Sequence, residues 1–424
     1  MELTVTHLYP QVVRADRAQT LRFELSDKRI DASLLKVKVI PMEKYDIQHT
    51  DYHINEIYRY PFEELRQEKN GVFAVDHTFN GEQRHNVRVY YDDKLIGRLH
   101  VYSVADDLAK LNCYKGDTHL HTNCSDGEGT PFEVACAYRE IGCDFIVITD
   151  HHKYWPSVQG QEEVNAVTDA FTVIRGEEIH NMDMGYFHII NMAGTTSVNE
   201  IIETNDAYVQ EQVDKILTER DFTGLSDPRS AAFRIFVANE IRKGGGVAIL
   251  PHPFWHIGEY NTQTEEVIYH FRHGDYDALE VLAACDYQNN GSNLQELLRV
   301  EMIADGIKVP VVGSSDAHYA LSRKTNGLFG IQFTLVFAES PEEIPAAIKD
   351  ERGVAINRTD DVIFHAVGRY RYAKYARFLM AEYFPTYTKL TEKHAAAMAA
   401  KDAIALRETE ATIEAFKKEF FACR

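Results

Sequence analysis

The 424-residue chain carries 45 basic and 65 acidic side chains, a formal charge of −20 that disfavours long DNA or RNA as a partner while leaving a local pocket or metal cluster free to hold one phosphate. Its length exceeds what one core organises, and 45% hydrophobic and 11% aromatic residues are enough to fill two. Six cysteines without a CxxC pair set aside a zinc knuckle or dithiol redox motif, no signal region follows Met1, and no apolar run nears the roughly 20 residues that span a bilayer, so a cytoplasmic chain with reduced thiols and no membrane contact is expected.

Up to about residue 105, apolar residues alternate in short runs: LRFEL (21–25), LLKVKVI (34–40), GVFAV (71–75), then NVRVYY and LIGRLHVYSV on either side of Asp92-Asp93. Period two marks strands and the Asp pair a hairpin turn, so residues 1–108 are expected to form a small antiparallel β-sandwich. No metal-type side chains concentrate there. Its expected role is structural or substrate-shaping, with Tyr45, Tyr52, Tyr58 and Tyr60 leaving a glycan- or protein-binding face open.

After residue 111 strands alternate with helices. In TPFEVACAYREIG, Thr130 is the expected N-cap, Pro131 the first helical residue, Glu133 the partner in a capping box and Gly142 the stop. DFIVITDHH, FTVIRGEEI, GYFHIINM, GGVAILPHP, DALEVL and VPVVGSSDAH follow as strands, with helices at AAFRIFVANEIRKGG, NLQELLRVEMIADG and SPEEIPAAIKDERG. Repeated βα units over residues 112–360 argue for a parallel sheet, open or closed into a barrel. Residues 361–424 are helical in composition. RYRYAKYARFLMAEYF reads as an amphipathic helix packing on the body or on another subunit, a route to a homo-oligomer.

GDTHLHTNCSDGEG (116–129) places His119 and His121 two residues apart, so in an extended chain both imidazoles face one side while Leu120 points away, and Asp126 follows around a bend. Further donors stand where apolar strands end: Asp150, His151 and His152 after FIVIT, Glu177 and Glu178 after TVIRG, His252 after VAILP, Asp316 and His318 after PVVGSS. In a βα architecture those ends open on one face, so distant residues converge there. Imidazole and carboxylate without thiolate suit Zn, Mn or Fe. His119, His121, Asp126, His151, Glu178, His188, His252, Asp316 and His318 are too many for one tetrahedral ion, so two or three divalent metals are expected. Each signal is weak alone; together they make burial without a cation very costly.

The neighbours divide less sharply. Asp117 and Asp150 are candidates either to accept hydrogen bonds from ligand histidines or to cap turns. His152, His256, His270 and His273 read as ordinary core or surface histidines, and Glu280 in LEVL as a further strand-end carboxylate, site or structure. Lys153, Arg323 and Lys324 flank the motifs, Arg323 being the candidate grip on a phosphate.

Taken in order, HxH…SDG (119–127), TDHH (149–152), GEEI (176–179), FHII (187–190), LPHP (250–253) and SDAH (315–318) resemble the successive motifs of the PHP superfamily, named for its polymerase and histidinol-phosphatase members, over roughly residues 115–320. The resemblance implies a distorted (β/α)7 TIM-like barrel with a trinuclear metal site, and phosphoester hydrolysis by a metal-bridging hydroxide. It covers neither the sandwich nor the tail. It implies that His119, His121, Glu178 and Asp316 hold one metal, that Glu178 bridges to a second taking His188 and His252, and that Asp126, His151 and His318 hold a third. The GxE pattern selects Glu178 over Glu177, and the strand-like FHII selects His188 over His180. The expected substrate is a small phosphorylated metabolite or nucleotide, monoester or diester. Arg323 is expected to neutralise developing charge, with a pocket histidine such as His318 or a metal-bound water as acid. The alternatives are a nuclease trimming short RNA or DNA ends, and a non-catalytic metal-containing protein that binds a glycan or another protein.

Overall fold

The computed structural model describes residues 3–43, 60–69, 71–181, 187–256, 258–283, 291–322, 329–358 and 364–422. Tyr45, Tyr52, Tyr58, Arg323 and Lys324 lie outside the described residues. The chain forms two compact units, Met1–Leu111 with Phe378–Tyr383 and Ala411–Arg424, and Asn112–Arg377 with Phe384–Glu410.

In the first unit, Val5–Tyr9, Ala18–Leu25, Val72–Thr78 and Leu65–Lys69 form one four-stranded sheet, and Val12–Arg14, Lys94–Val104, Gln83–Tyr91 and Leu35–Pro41 a second, in those orders. All pairings are antiparallel except that of Val12–Arg14 with Lys94–Val104. Residues from both sheets, among them Phe23, Val37, Phe73, Val87 and Val101, share one buried cluster, as period-two alternation requires of two sheets packed face to face. Asp92 and Asp93 turn the hairpin with φ of 47° and 57°, the left-handed region that a two-residue turn between twisted strands needs.

The second unit is mixed α/β. Its six-stranded sheet runs in the order Thr172–Ile174, Phe145–Val147, Asn112–Asp117, Gln332–Ala338, Gly353–Arg358, Phe364–Gly368, and its five-stranded sheet in the order Gly176–Asn181, Phe187–Met192, Val247–Leu250, Ala278–Leu282, Val311–Gly313. The expected parallel pairing occurs among the first three strands of the former and the last three of the latter. The rest is antiparallel, including a hairpin of Gly176–Asn181 with Phe187–Met192. Among the described residues the strands do not join into a closed barrel. Among the described residues the isolated backbone bridges between the two halves are Leu120 with Ala317 and His151 with Glu178, and Thr334 Oγ1 of one sheet bonds Gly313 of the other. The physical reason is that the chain leaves regular pairing at His119–His121, Asp150–His152 and Ser314–His318, where it turns donor side chains inward.

Phe145, Val147, Ile174, Ile190, Ile249, Ala278, Val312 and Val336 fill the core shared by the two sheets. Helix Pro228–Lys243 packs Phe233 and Val237 into the cluster that contains Ile189, Leu250 and Leu279. Helix Pro131–Glu140 packs Val134 and Tyr138 with Ile146, Ile148 and Val173. It starts as its sequence dictates: the Thr130 hydroxyl accepts from Glu133 N and the Glu133 carboxylate accepts from Thr130 N, while Gly142 follows at φ 89°.

The C-terminal region opens with a strand, Phe364–Gly368, and continues as helices Tyr370–Glu382, Phe384–Ala400 and Ala403–Phe420. Of this region, Phe378–Tyr383 and Ala411–Arg424 belong to the first unit and the remainder to the second. Within the second unit, the buried Arg139 donates to Tyr387 Oη at 3.1 Å and His394 Nδ1 at 3.2 Å, which fastens Phe384–Ala400 to Pro131–Glu140. Among the described residues no helix is long and apolar enough to cross a membrane. Cys113, Cys124, Cys136 and Cys143 form no disulfide with one another.

Candidate metal centre

The donors come from the C-terminal ends of strands and from the hairpin beside them. Beyond Asn112–Asp117, Leu120 turns into the apolar cluster around Val134, so His119 and His121 turn the other way and their Nε2 atoms meet at 3.3 Å. His151 follows Phe145–Val147, His252 follows Val247–Leu250, and Asp316 and His318 follow Val311–Gly313, while Glu178 and His188 lie on the two arms of the hairpin. His252 and Asp316 hold φ of 22° and 49°, strained values for residues with a Cβ and typical of positions that packing forces into a site.

Glu178 is the hub. Its wholly buried carboxylate has His188 Nδ1 at 2.6 Å, His151 Nδ1 at 3.0 Å, His119 Nε2 at 3.2 Å, His121 Nε2 at 3.4 Å and His252 Nε2 at 3.7 Å. Asp316 Oδ1 lies 3.0 Å from His121 Nε2, 3.2 Å from His119 Nε2 and 3.8 Å from His318 Nδ1. Asp126, with a side chain 56% exposed at the rim, lies 3.3 Å from His318 Nε2 and 3.8 Å from His151 Nε2. Four overlapping groups result: His121, Asp126, His151 and His318; His119, His252 and Asp316; His119, His121 and Glu178; Glu178, His188 and His252. The nine donors singled out in the sequence are the members of these groups.

The residues fit divalent cations. Neither Glu178 oxygen, nor Nδ1 of His121, His151 or His252, makes a hydrogen bond of acceptable direction despite the short separations. Buried polar atoms this close would normally point at one another. Here they point toward shared space, the arrangement of ligands around an ion, and the donor set is nitrogen and oxygen only.

Charge in the cluster is finely divided. Burial opposes the protonated form of His119, yet the carboxylates of Asp316, Glu178 and Glu280 push it well above its ordinary value. Burial likewise opposes ionisation of Glu178, but His188, His151 and His119 hold it well below the carboxylate range. His318 is raised to about 9, against burial, by its hydrogen bond to Asp126 and the charges of Asp316 and Asp126. His188 falls to about 4 through burial. Protons stand where cations would, so metal uptake displaces them.

The ambiguous pairs separate by environment. Glu177 and Glu178 alternate across their strand, and Glu177 turns away to accept from Val198 N (2.6 Å), Ser197 Oγ (2.7 Å), Asn199 Nδ2 (2.9 Å) and Asn191 Nδ2 (3.0 Å). His180 lies opposite His188 in the hairpin with ring centroids 4.4 Å apart, but belongs to none of the four donor groups. Asp150 accepts from Thr122 N and Oγ1 and from Ser125 N and Oγ, holding the turn between His121 and Asp126. Asp117 accepts from His119 N, Ser315 N and Oγ, and Tyr138 Oη, so it joins the two ligand-bearing segments; burial raises it to about 6. Both act on backbone and hydroxyls, not on ligand imidazoles. Lys153 donates to the Cys124 carbonyl, an anchoring role. His270 is buried against Asp275 (3.0 Å), His273 bonds Tyr269 O, His256 bridges to Tyr260, and His152 is exposed; none joins the cluster. Glu280 is the carboxylate that sequence reasoning left unassigned: Oε1 lies 3.1 Å from His119 Nδ1 and Oε2 accepts from His252 N at 2.8 Å.

No protein-family description and no curated protein matches the sequence. Similar solved structures exist. One is a protein from Bacteroides vulgatus described as a two-domain protein containing a predicted PHP-like metal-dependent phosphoesterase, 19% identical over 59% of this chain and 66% of that one, TM-score 0.40. The chain thus spans just under two thirds of that protein. Another is an inferred metal-dependent phosphoesterase from Bifidobacterium adolescentis, 18% identical over 50% of this chain and 88% of that one, TM-score 0.34. A third is an amidohydrolase from Chromobacterium violaceum with bound sulfate and no metal, 14% identical over 49% and 88%, TM-score 0.33.

Proposed function

We propose that the chain is a metal-dependent phosphoesterase of the PHP type that acts on a small phosphorylated metabolite or nucleotide, with two or three divalent ions held by His119, His121, Asp126, His151, Glu178, His188, His252, Asp316 and His318. The observation that carries the reading is Glu178: a fully buried carboxylate with imidazole nitrogens on both oxygens and no hydrogen bond of its own. The order of the motifs and the delivery of donors from strand ends support it, and the two sheets are read as halves of a distorted (β/α)7 arrangement.

Bound divalent ions would acidify a coordinated water and neutralise phosphate charge. The chain's own residues do the rest. Glu178 belongs to two donor groups, so its carboxylate sets their spacing. The rim group, with its half-exposed Asp126, is where a phosphate reaches the cluster from solvent. His318 sits there with Nε2 on Asp126, which supports ligation ahead of a separate acid role. The net charge of −20 selects against polyanionic polymers. Arg323 is retained as the proposed phosphate contact on its position in the sequence alone.

The test is hydrolysis of an aryl phosphate monoester and its diester by protein loaded with Mn or Zn. Turnover that disappears in His119→Ala is expected. No turnover of either ester by metal-loaded protein overturns the assignment, and a diester preference moves it toward the trimming nuclease.

A further inference from the structure

The geometry points to Glu280 as a positioning residue: we propose that its carboxylate fixes which nitrogen of His119 faces the cluster and holds the strained backbone that presents His252. Glu280 stands in strand Ala278–Leu282, all five residues of which are buried, and is itself 0% exposed. A carboxylate there is costly unless both oxygens are engaged. They are, and by two different ligand-bearing segments. Oε1 lies 3.1 Å from His119 Nδ1 and Oε2 takes the backbone N–H of His252 at 2.8 Å.

A carboxylate offers acceptors only, so the hydrogen in the first contact belongs to His119 Nδ1. Once His119 gives up its second proton, as metal binding requires, Nε2 carries a lone pair and no hydrogen. That atom is the one aimed at the cluster, 3.2 Å from Glu178 Oε2, 3.2 Å from Asp316 Oδ1 and 3.3 Å from His121 Nε2. The second contact acts on His252 at φ 22°, a conformation that persists only when its surroundings impose it. From the other side, Gln295 Nε2 donates to the carbonyls of Glu280 (2.9 Å) and Val281 (3.1 Å), which keeps the strand end from shifting. One side chain thereby sets two ligands drawn from segments far apart in the sequence.

The inference rests on the cluster being a metal site and is independent of which reaction it catalyses. In Glu280→Gln the amide oxygen can take the His252 N–H, but the NH2 group then faces His119 Nδ1 and drives the ring hydrogen to Nε2, into the cluster. Chelator competition with zinc should show affinity lowered by about 10–100-fold, while Glu280→Asp, which keeps an acceptor-only group, recovers part of it. In a His119→Ala background the Gln substitution should add little further loss. Ring 15N spectra of the zinc-loaded wild-type protein should show His119 protonated at Nδ1. A folded Glu280→Gln chain with wild-type zinc affinity, an equal loss in the His119→Ala background, or a wild-type His119 ring protonated at Nε2 overturns the assignment. The spectrum decides even where the Gln variant does not fold. Absence of zinc binding by the wild type would instead remove the metal reading itself.

Discussion

Replacing Glu178 with Gln takes one negative charge and one acceptor from the centre of the cluster, where five imidazole nitrogens lie within 2.6–3.7 Å. Removing one partner of a buried ionic contact costs about 3–5 kcal/mol. At about 1.4 kcal/mol per decade that is about two to three and a half decades of metal affinity. The neighbouring substitution, Glu177→Gln, is the built-in contrast. Glu177 has four donors on its two oxygens and none is a cluster histidine. A Gln there sets an NH2 group against donors, at about 1–3 kcal/mol per unmet group, and this cost falls on folding. Metal affinity by chelator competition and the stability of the metal-free chain by urea denaturation should therefore separate the two variants: Glu178→Gln loses metal far more than stability, Glu177→Gln the reverse. Equal loss of metal by both, or wild-type metal binding by Glu178→Gln, would refute the reasoning.

Other consequences are as direct. At pH 7.5 the metal-free cluster carries protons on His318, raised to about 9, and on His119, so metal binding should release at least one proton per chain and tighten as pH rises toward 9; calorimetric titrations whose heats do not depend on the buffer's ionisation enthalpy would contradict this. Gly127→Ala would set a Cβ 2.5 Å from His121 O, so the turn must move Asp126 and His121 apart, and metal content should fall with little change in circular dichroism. In the first unit, His85 is buried with Nε2 2.9 Å from Ser103 Oγ, and burial, with a smaller effect of His77, lowers its pKa to about 3. A folded pKa below the unfolded one gives stability that is present above about pH 6.5 and is lost as pH falls toward 3, by about 1.4 kcal/mol per unit. Urea unfolding of wild type and His85→Gln should thus converge by about 2 kcal/mol between pH 6.5 and 5, and parallel pH profiles would sink the claim.

What the sequence disclosed and what it withheld follow from reach. The i, i+2 spacing of His119 and His121 and the capping box of Thr130 and Glu133 are local and legible, and the structure shows both. The convergence of strand-end donors needed only the rule that such ends share a face. Strand direction was less legible. Phe187–Met192 is buried along its whole length, so its composition matches a parallel strand although it pairs antiparallel on both sides. Gln332–Ala338 and Gly353–Arg358, also strands, stand without motif residues to mark them. The repeated βα units left the sheet open or closed and only the family resemblance implied a distorted barrel; among the described residues the donor segments interrupt the pairing. Glu280 had a signal that went unused: a carboxylate inside an uninterrupted apolar strand, LEVL, must meet a buried partner.

The central claim is that nine side chains share a set of cations, and elemental analysis of purified protein equilibrated with Mn or Zn and freed of excess ion tests it most directly. Two or three ions per chain, falling in His119→Ala and in Asp316→Ala while both variants stay folded, is the predicted result. A folded wild-type chain that retains no ion would contradict it.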